Sequence, residues 1–205
     1  MAKIKLTKGE LKKQRDALAQ YLRYLPTLQL KKQQLQMEIL HQLVILEEKS
    51  SQEKMKKSSM EGWAGLLAEP GIDIRQWVKL EKTATDIKNI AGVDLPIFDH
   101  VEFSPAEYDL FITPLWVDAA IEVIKDLISL QEEIAVIEAG IKILRQELRI
   151  TTQRVNLFEK VKIPEAEEAI RRIKIYIGDQ MTNAVGRSKI AKRKIEESVL
   201  EKVLV

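Results

Sequence analysis

From Trp116 onward, apolar residues recur at alternating steps of four and three. The positions are Trp116, Ala120, Val123, Leu127, Leu130, Ile134, Ile137, Ile141, Leu144, Leu148, Thr151, Val155 and Phe158, and only Thr151 is not apolar. A period of about 3.5 residues held this long predicts a helix supercoiled left-handedly against a partner. The stripe needs a cover along its whole length.

A second helical pattern precedes it. Leu11, Leu18, Leu22 and Leu25 form one stripe, and Leu28, Leu35, Ile39, Leu43 and Leu46 extend it. Thr7 with Glu10 three residues on reads as a capping box. Around Met37, Leu40 and Val44 the apolar face widens, which predicts a second contact, either a partner or the middle of the chain. Pro26 lacks a backbone donor and predicts a kink or break near Leu25. Pro164 does the same in the second arm. Beyond it Ala166, Ile170, Ile173, Ile177, Met181, Ala184, Ala191 and Ile195 continue a weaker stripe. Gly178 and Gly186 weaken that last stretch by roughly 1 kcal/mol each relative to alanine.

Between the arms the pattern breaks down. Pro70, Pro96, Pro105 and Pro114, with Gly62, Gly65, Gly71 and Gly92, concentrate there, as do Trp63, Trp77, Phe98, Phe103 and Phe111. Gly71–Arg75, Thr85–Val93 and Ile97–Phe103 read as short strands, with Gly92 and Pro96 as turn residues, and Trp63–Leu67 as a helical turn. The expected class is mainly α: a long antiparallel two-helix coiled coil with a small central α+β insert. The expected segments are an N-terminal arm (1–61), a central insert (62–114) and a C-terminal arm (115–205). If Pro26 lies beside Pro164, the numbers of facing residues add to about 190, Met60 faces Leu130, and residues after about 186 overhang as a single helix. About 50 paired residues would span about 75 Å. Each Leu or Ile buried in the seam contributes roughly 1.5–3 kcal/mol.

Composition narrows the function classes. The chain has 205 residues, 31% charged and 5% aromatic, as long helices require. The net charge of +2 gives no global attraction to nucleic acid or anionic lipid, and the absence of cysteine removes disulfides and thiolate metal sites. No apolar signal segment, sequon or membrane-length apolar run is visible, so a cytoplasmic protein with no membrane insertion is expected. Charge is uneven, however. Basic residues dominate Met1–Lys32 and Arg187–Lys202, whereas Glu61–Pro114 carries ten acidic residues against four basic ones. An antiparallel pairing brings both basic segments to one end.

Candidate chemistry is sparse. Phosphate loops, H-E-x-x-H and nucleophile elbows are absent. His41 reads as a helix-surface residue, and His100, beside Asp99 and Glu102, lacks the companions a metal site needs. Glu132–Glu133 and Glu167–Glu168 are adjacent on helices and point apart, so they read as solvated charges. No cofactor, metal or catalytic residue is expected. The cluster Arg187, Lys189, Lys192, Arg193 and Lys194 lacks interleaved aromatics, which favours an acidic protein surface over nucleic acid.

Three stretches carry a family resemblance. Thr7-Lys8 followed by Leu11, then Asn89-Ile90-Ala91-Gly92-Val93-Asp94-Leu95-Pro96, then Arg154-Val155-Asn156-Leu157-Phe158-Glu159 with Ile163-Pro164, resemble in order and spacing the D subunit of V-type and A-type ATP synthases. The chain departs from that pattern at Gln153, at Leu157-Phe158 and at Pro26. The resemblance implies a non-catalytic central rotor shaft that couples ATP turnover to H⁺ or Na⁺ transport. It implies that the basic tip faces a catalytic head of A and B subunits. It also implies that the other end meets the F subunit and a connector (C, or d in eukaryotes) at the membrane rotor ring. The chain would be cytoplasmic and peripheral to the membrane as part of that complex. From the residues alone, a non-motor coiled-coil scaffold or tether remains the alternative.

Overall fold

The computed structural model describes residues 5–69, 73–106, 108 and 113–203. Helix α1 spans Lys8–Glu61, strand β1 Leu80–Ile90, strand β2 Val93–Phe103, helix α2 Trp116–Leu157 and helix α3 Ile163–Val203. Short 3₁₀ turns occupy Ala64–Ala68 and Ile74–Gln76, and a π-turn occupies Phe158–Lys162. The fold is mainly α with a two-stranded antiparallel insert. By contact density the chain forms two compact units, Lys31–Thr151 and Met1–Leu30 with Thr152–Val205.

Several expectations change. Helix α1 runs through Pro26 without a break. Pro26 and Leu22 are both exposed, so the Leu22 carbonyl that loses its donor is open to water. Leu22 therefore leaves the seam, and half-buried Tyr21 takes its place. Residues 71–72 of the expected first strand lie outside the described residues, and Ile74–Gln76 is a 3₁₀ turn capped by Asp73, whose side chain accepts from the Arg75 N–H. The two real strands are longer than expected. Their turn lies at Ala91–Gly92, not at Pro96, which pairs with Ile87 inside the ladder. Phe111 and part of the apolar run before Trp116 lie outside the described residues.

In the unit Lys31–Thr151, the insert is a hairpin laid along the helices. Ala91 and Gly92 both have positive φ, 53° and 73°, as a two-residue hairpin turn of the I′ type requires. The Asn89 side chain accepts from the Gly92 N–H at 3.2 Å and donates to Asp94 at 2.6 Å. The Asn-Ile-Ala-Gly-Val-Asp stretch thus acts locally, by closing the turn. Next to it, Val93 and Leu95 pack into a core with Leu35 and Ile39 of α1 and Leu144 of α2. At the open end of the hairpin a second core gathers Ile74, Val78, Val117, Ala120 and Ile121, with Phe103, Trp77 and Tyr108 against it. The Tyr108 hydroxyl donates to Asp118 at 2.6 Å, and Asp118 holds that phenol above its ordinary pKa. Midway, Thr83 donates to Glu132 at 2.9 Å. Eleven strand residues span about 36 Å, and α2 rises by about the same between Ala120 and Leu144. The matched lengths let one hairpin cover that stretch.

The same unit fixes the helix register. Lys49 pairs with Glu133 at 2.8 Å, Lys56 with Asp126 at 3.0 Å, and Gln131 donates to Glu53 at 2.9 Å. Facing numbers therefore add to 182–184 rather than 190, a slip of about one heptad. A heptad slip preserves which faces meet, so periodicity alone cannot exclude it. Prolines were poor markers because Pro26 perturbs nothing that fixes a level.

In the other unit, Thr7 caps α1 by accepting from the Glu10 N–H at 3.3 Å. The capping box is half made, because the Glu10 carboxylate accepts from Gln14 at 2.9 Å instead. Tyr21 and Phe158 rings lie 5.3 Å apart. Ala166, Ala169, Ile170 and Ile173 of α3 are buried, and Ile177 is half-buried. Every residue from Gly178 to Glu197 is exposed. The exposed stretch thus begins at Gly178 rather than after 186.

Candidate functional site

The candidate functional element is the seam and its extension in α3. Of the thirteen seam positions, Ala120, Leu130, Ile141, Leu144, Thr151 and Val155 are buried and the others half-buried; none is exposed. Thr151 is the one buried polar side chain among the described residues, 2% exposed, and no buried side-chain polar atom there lacks a hydrogen-bond partner.

The α1 side of the seam is more polar than the sequence pattern suggested. Stepping by three and four from Leu11 reaches Gln14, Leu18, Tyr21, Leu25, Leu28, Lys32, Leu35, Ile39, Gln42, Leu46, Lys49, Glu53, Lys56 and Met60, and none of these is exposed. Lys49, Glu53 and Lys56 are the residues that reach across to α2. Their heptad spacing was visible in the sequence, but charged residues do not register in an apolar search. Lys57 and then Gln131 hold the Glu53 carboxyl below its ordinary pKa. Meanwhile Met37, Leu40 and Val44, the outer flank of the widened α1 face, stay exposed, because the hairpin meets only the Leu35, Ile39 and Leu43 side.

The polar candidates separate into small local roles. Glu133 takes Lys49 while its neighbour Glu132 takes Thr83, so the two carboxylates do not converge. Glu168 accepts from Arg171 and Arg172 at 2.8 Å, and these guanidiniums lower its pKa to about 2. His41 lies 3.8 Å from Glu38. His100 lies 2.9 Å from Asp99 and 3.5 Å from Glu102, and Asp99 chiefly raises its pKa. No group of three or more potential metal ligands occurs among the described residues. A cleft of about 320 Å³ between α1, the hairpin and α2 is lined by Glu38, Gln42, Leu95, Phe98, Glu133 and Gly140, a mixed surface without converging catalytic groups.

In the exposed half of α3, Arg187, Lys189, Lys192, Arg193 and Lys194 are all exposed. Lys192 faces Glu196 at 3.7 Å and Arg193 faces Glu197 at 3.0 Å, one helical turn on. Such pairs support a helix modestly. The basic cluster is therefore partly balanced along its own helix.

This geometry defines a protein of packed long helices carrying a β-hairpin, whose covered seam and exposed helical end suit mechanical or docking work. A family model for the D subunit of ATP synthase matches residues 10–193. The V-type ATP synthase D subunit of Borreliella burgdorferi is 47% identical over 192 residues, 94% of this chain and 95% of the relative. The Chlamydia pneumoniae protein of the same name is 34% identical over 94% of this chain and 93% of its own. That of Chlamydia trachomatis serovar L2 is 31% identical over 96% and 98%. The chain belongs to the ATP synthase D-subunit family.

Proposed function

We propose that this chain is the central stalk of a V-type ATP synthase, the rotor shaft that couples ATP synthesis or hydrolysis in a catalytic head to H⁺ or Na⁺ transport through a membrane ring. The observation that carries this reading is 47% identity over 94% of the chain to a V-type D subunit. The physical features support it. A shaft must resist sliding of one helix along the other. Apolar seam positions supply adhesion, while Lys49–Glu133 and Lys56–Asp126 oppose axial slippage because a slip separates the charges. The hairpin adds a third layer over about 36 Å of α2.

The exposed half of α3, with its basic residues, is the surface we assign to the head of A and B subunits. The F subunit and a connector, C or d, would bind elsewhere on the chain. Catalysis would reside in the head, making this a non-catalytic subunit, cytoplasmic and peripheral to the membrane. No helix among the described residues is long and apolar enough to cross a membrane.

Reconstitution with an A/B hexamer and the F subunit tests the assignment. The full chain should co-purify with both and support rotation of a bead fixed to it during ATP hydrolysis. A chain ending at Ile177 should still bind the F subunit but lose rotation. A full chain that ignores the hexamer would refute the shaft reading.

A further inference from the structure

The π-turn between α2 and α3 coincides with a break in sequence phase. Continuing the steps of four and three past Phe158 leads to Lys162, Glu165, Ala169, Arg172 and Tyr176. Of these, Glu165, Arg172 and Tyr176 are exposed. Lys162 is half-buried and Ala169 is buried, but the large apolar residues under cover, Ile170, Ile173 and Ile177, follow Ala166 in a stripe one residue later than the heptad demands. One residue too many therefore lies between Phe158 and Ala166.

The backbone accommodates one residue too many at that place. In an α-helix the Ile163 N–H would bond to Glu159; here it bonds to the Phe158 carbonyl, five residues back. A π-turn is the signature of a single added residue in a helix. Glu159, Lys160 and Val161 are exposed, so the added length lies on the open side. Pro164 follows immediately. Its missing N–H would otherwise have bonded to the Lys160 carbonyl, so the ladder is already broken there.

We propose that Phe158–Lys162 is a one-residue phase insertion: the π-turn absorbs the surplus residue and keeps the α3 stripe on the covered side defined by Val155 and Phe158. Without it, each residue beyond would be turned by about 100° relative to that side. Proline is an accessory to the turn, and the surplus residue is its cause. Nothing in this device requires a rotor, so it stands or falls separately from the proposed function.

Three full-length variants test it. Deletion of Lys160 should convert the segment to continuous α-helix, keep the melting midpoint within about 2 °C of the parent, and slow amide exchange around Ile163 by about tenfold. Deletion of exposed Arg149 should lower the midpoint by at least about 6 °C, because it turns Thr151, Val155 and Phe158 away from their cover. Equal losses from the two deletions would overturn the proposal. Pro164→Ala separates the two causes. Carbonyl and amide chemical shifts should show the π-turn persisting in that variant; its replacement by ordinary α-helix would mean that proline, not phase, makes the turn.

Discussion

Helix α2 and the second half of α3 share a pattern and differ in fate. Both place apolar residues on one helical face. In α2 every seam position is at least half-buried. In α3 the face carries Met181 and Ile195, each more than half exposed. Their densities differ less than their surroundings. Apolar periodicity states a helix's need for a cover; whether the cover lies within the same chain depends on where the antiparallel partner ends. Helix α1 begins at Lys8, and its end limits how far α3 can be covered.

Truncating one covered and one exposed apolar residue gives the largest expected contrast. Leu144 is 0% exposed and touches both α1 and the hairpin core. Leu144→Ala should destabilise the chain by about 2–5 kcal/mol, the range for cavity formation in a packed core. Ile190 is 60% exposed. Ile190→Ala should change stability by less than about 0.5 kcal/mol. Urea denaturation of the two variants measures both. A comparable loss from Ile190→Ala would show that α3 finds a cover within the free chain, and the contrast would fail.

The hairpin turn comes next, because it seats Val93 and Leu95 on the helices. Gly92 has φ of 73°. Gly92→Val should cost about 1–2 kcal/mol, since a branched side chain resists that conformation. Ala91, at φ 53°, already bears such strain. Ala91→Asn should therefore raise stability by roughly 0.5–1 kcal/mol, asparagine being suited to the first position of this turn. Both effects should appear in the same urea midpoint as Leu144→Ala if the hairpin melts with the helices. A separate, earlier transition for Gly92→Val would reveal an insert that comes loose on its own.

The long helices and a small strand-bearing insert were legible because they rest on local rules, though one of the three expected strands is instead a 3₁₀ turn at Ile74–Gln76. Period and the turn glycine Gly92 act within a few residues, whereas Pro26 and Pro96 misled and the Asn89–Asp94 contact was not read. Register was not legible: Lys49–Glu133 and Lys56–Asp126 fix it across 84 and 70 residues of chain, and any heptad slip leaves the apolar pattern intact. The true α1 seam was half hidden for a related reason, because Gln14, Lys32, Gln42 and Glu53 hold its positions with polar side chains. Leu22 misled in the opposite direction, as an apolar residue on the open face. The hairpin's place along α2 follows from strand length matching helix rise, and that match requires knowing both ends of β1 and β2.

Glycine substitutions apply one chemistry to both regions and predict a smaller contrast. Gly140 is buried within α2, yet a methyl group there would meet nothing within 4 Å. Gly178 and Gly186 in α3 are equally open. Replacement by alanine should favour helix by about 1 kcal/mol at each site. At Gly140 the gain should raise the global urea midpoint. At Gly178 and Gly186 it should instead slow local amide exchange and leave the midpoint unchanged, because an exposed helical end opens without global unfolding. A midpoint shift from Gly186→Ala would join that end to the cooperative unit.

The smallest expected effect is a pH dependence that marks the border between covered and exposed helix. Glu168 lies on the covered part of α3 and accepts from both Arg171 and Arg172. Arg171 chiefly, and then Arg172, lower its folded-state pKa from 4.5 to about 2. The ionised carboxylate is favoured in the folded chain, so its contribution is present above the unfolded value of 4.5 and is lost as pH falls toward 2. Solvent screens an exposed cluster of this kind, so the effect belongs to local helix order rather than to global stability. Carboxyl carbon shifts should titrate near 2 for Glu168 in the parent, and near the ordinary value in a chain carrying Arg171→Gln and Arg172→Gln. Amide exchange at residues 168–172 should accelerate between pH 4.5 and 2 in the parent beyond the intrinsic change, and Glu168→Gln should remove that acceleration. An unshifted Glu168 titration in the parent would mean that the guanidiniums face elsewhere in solution, leaving Ala166, Ala169, Ile170 and Ile173 alone to hold the last covered turns of α3.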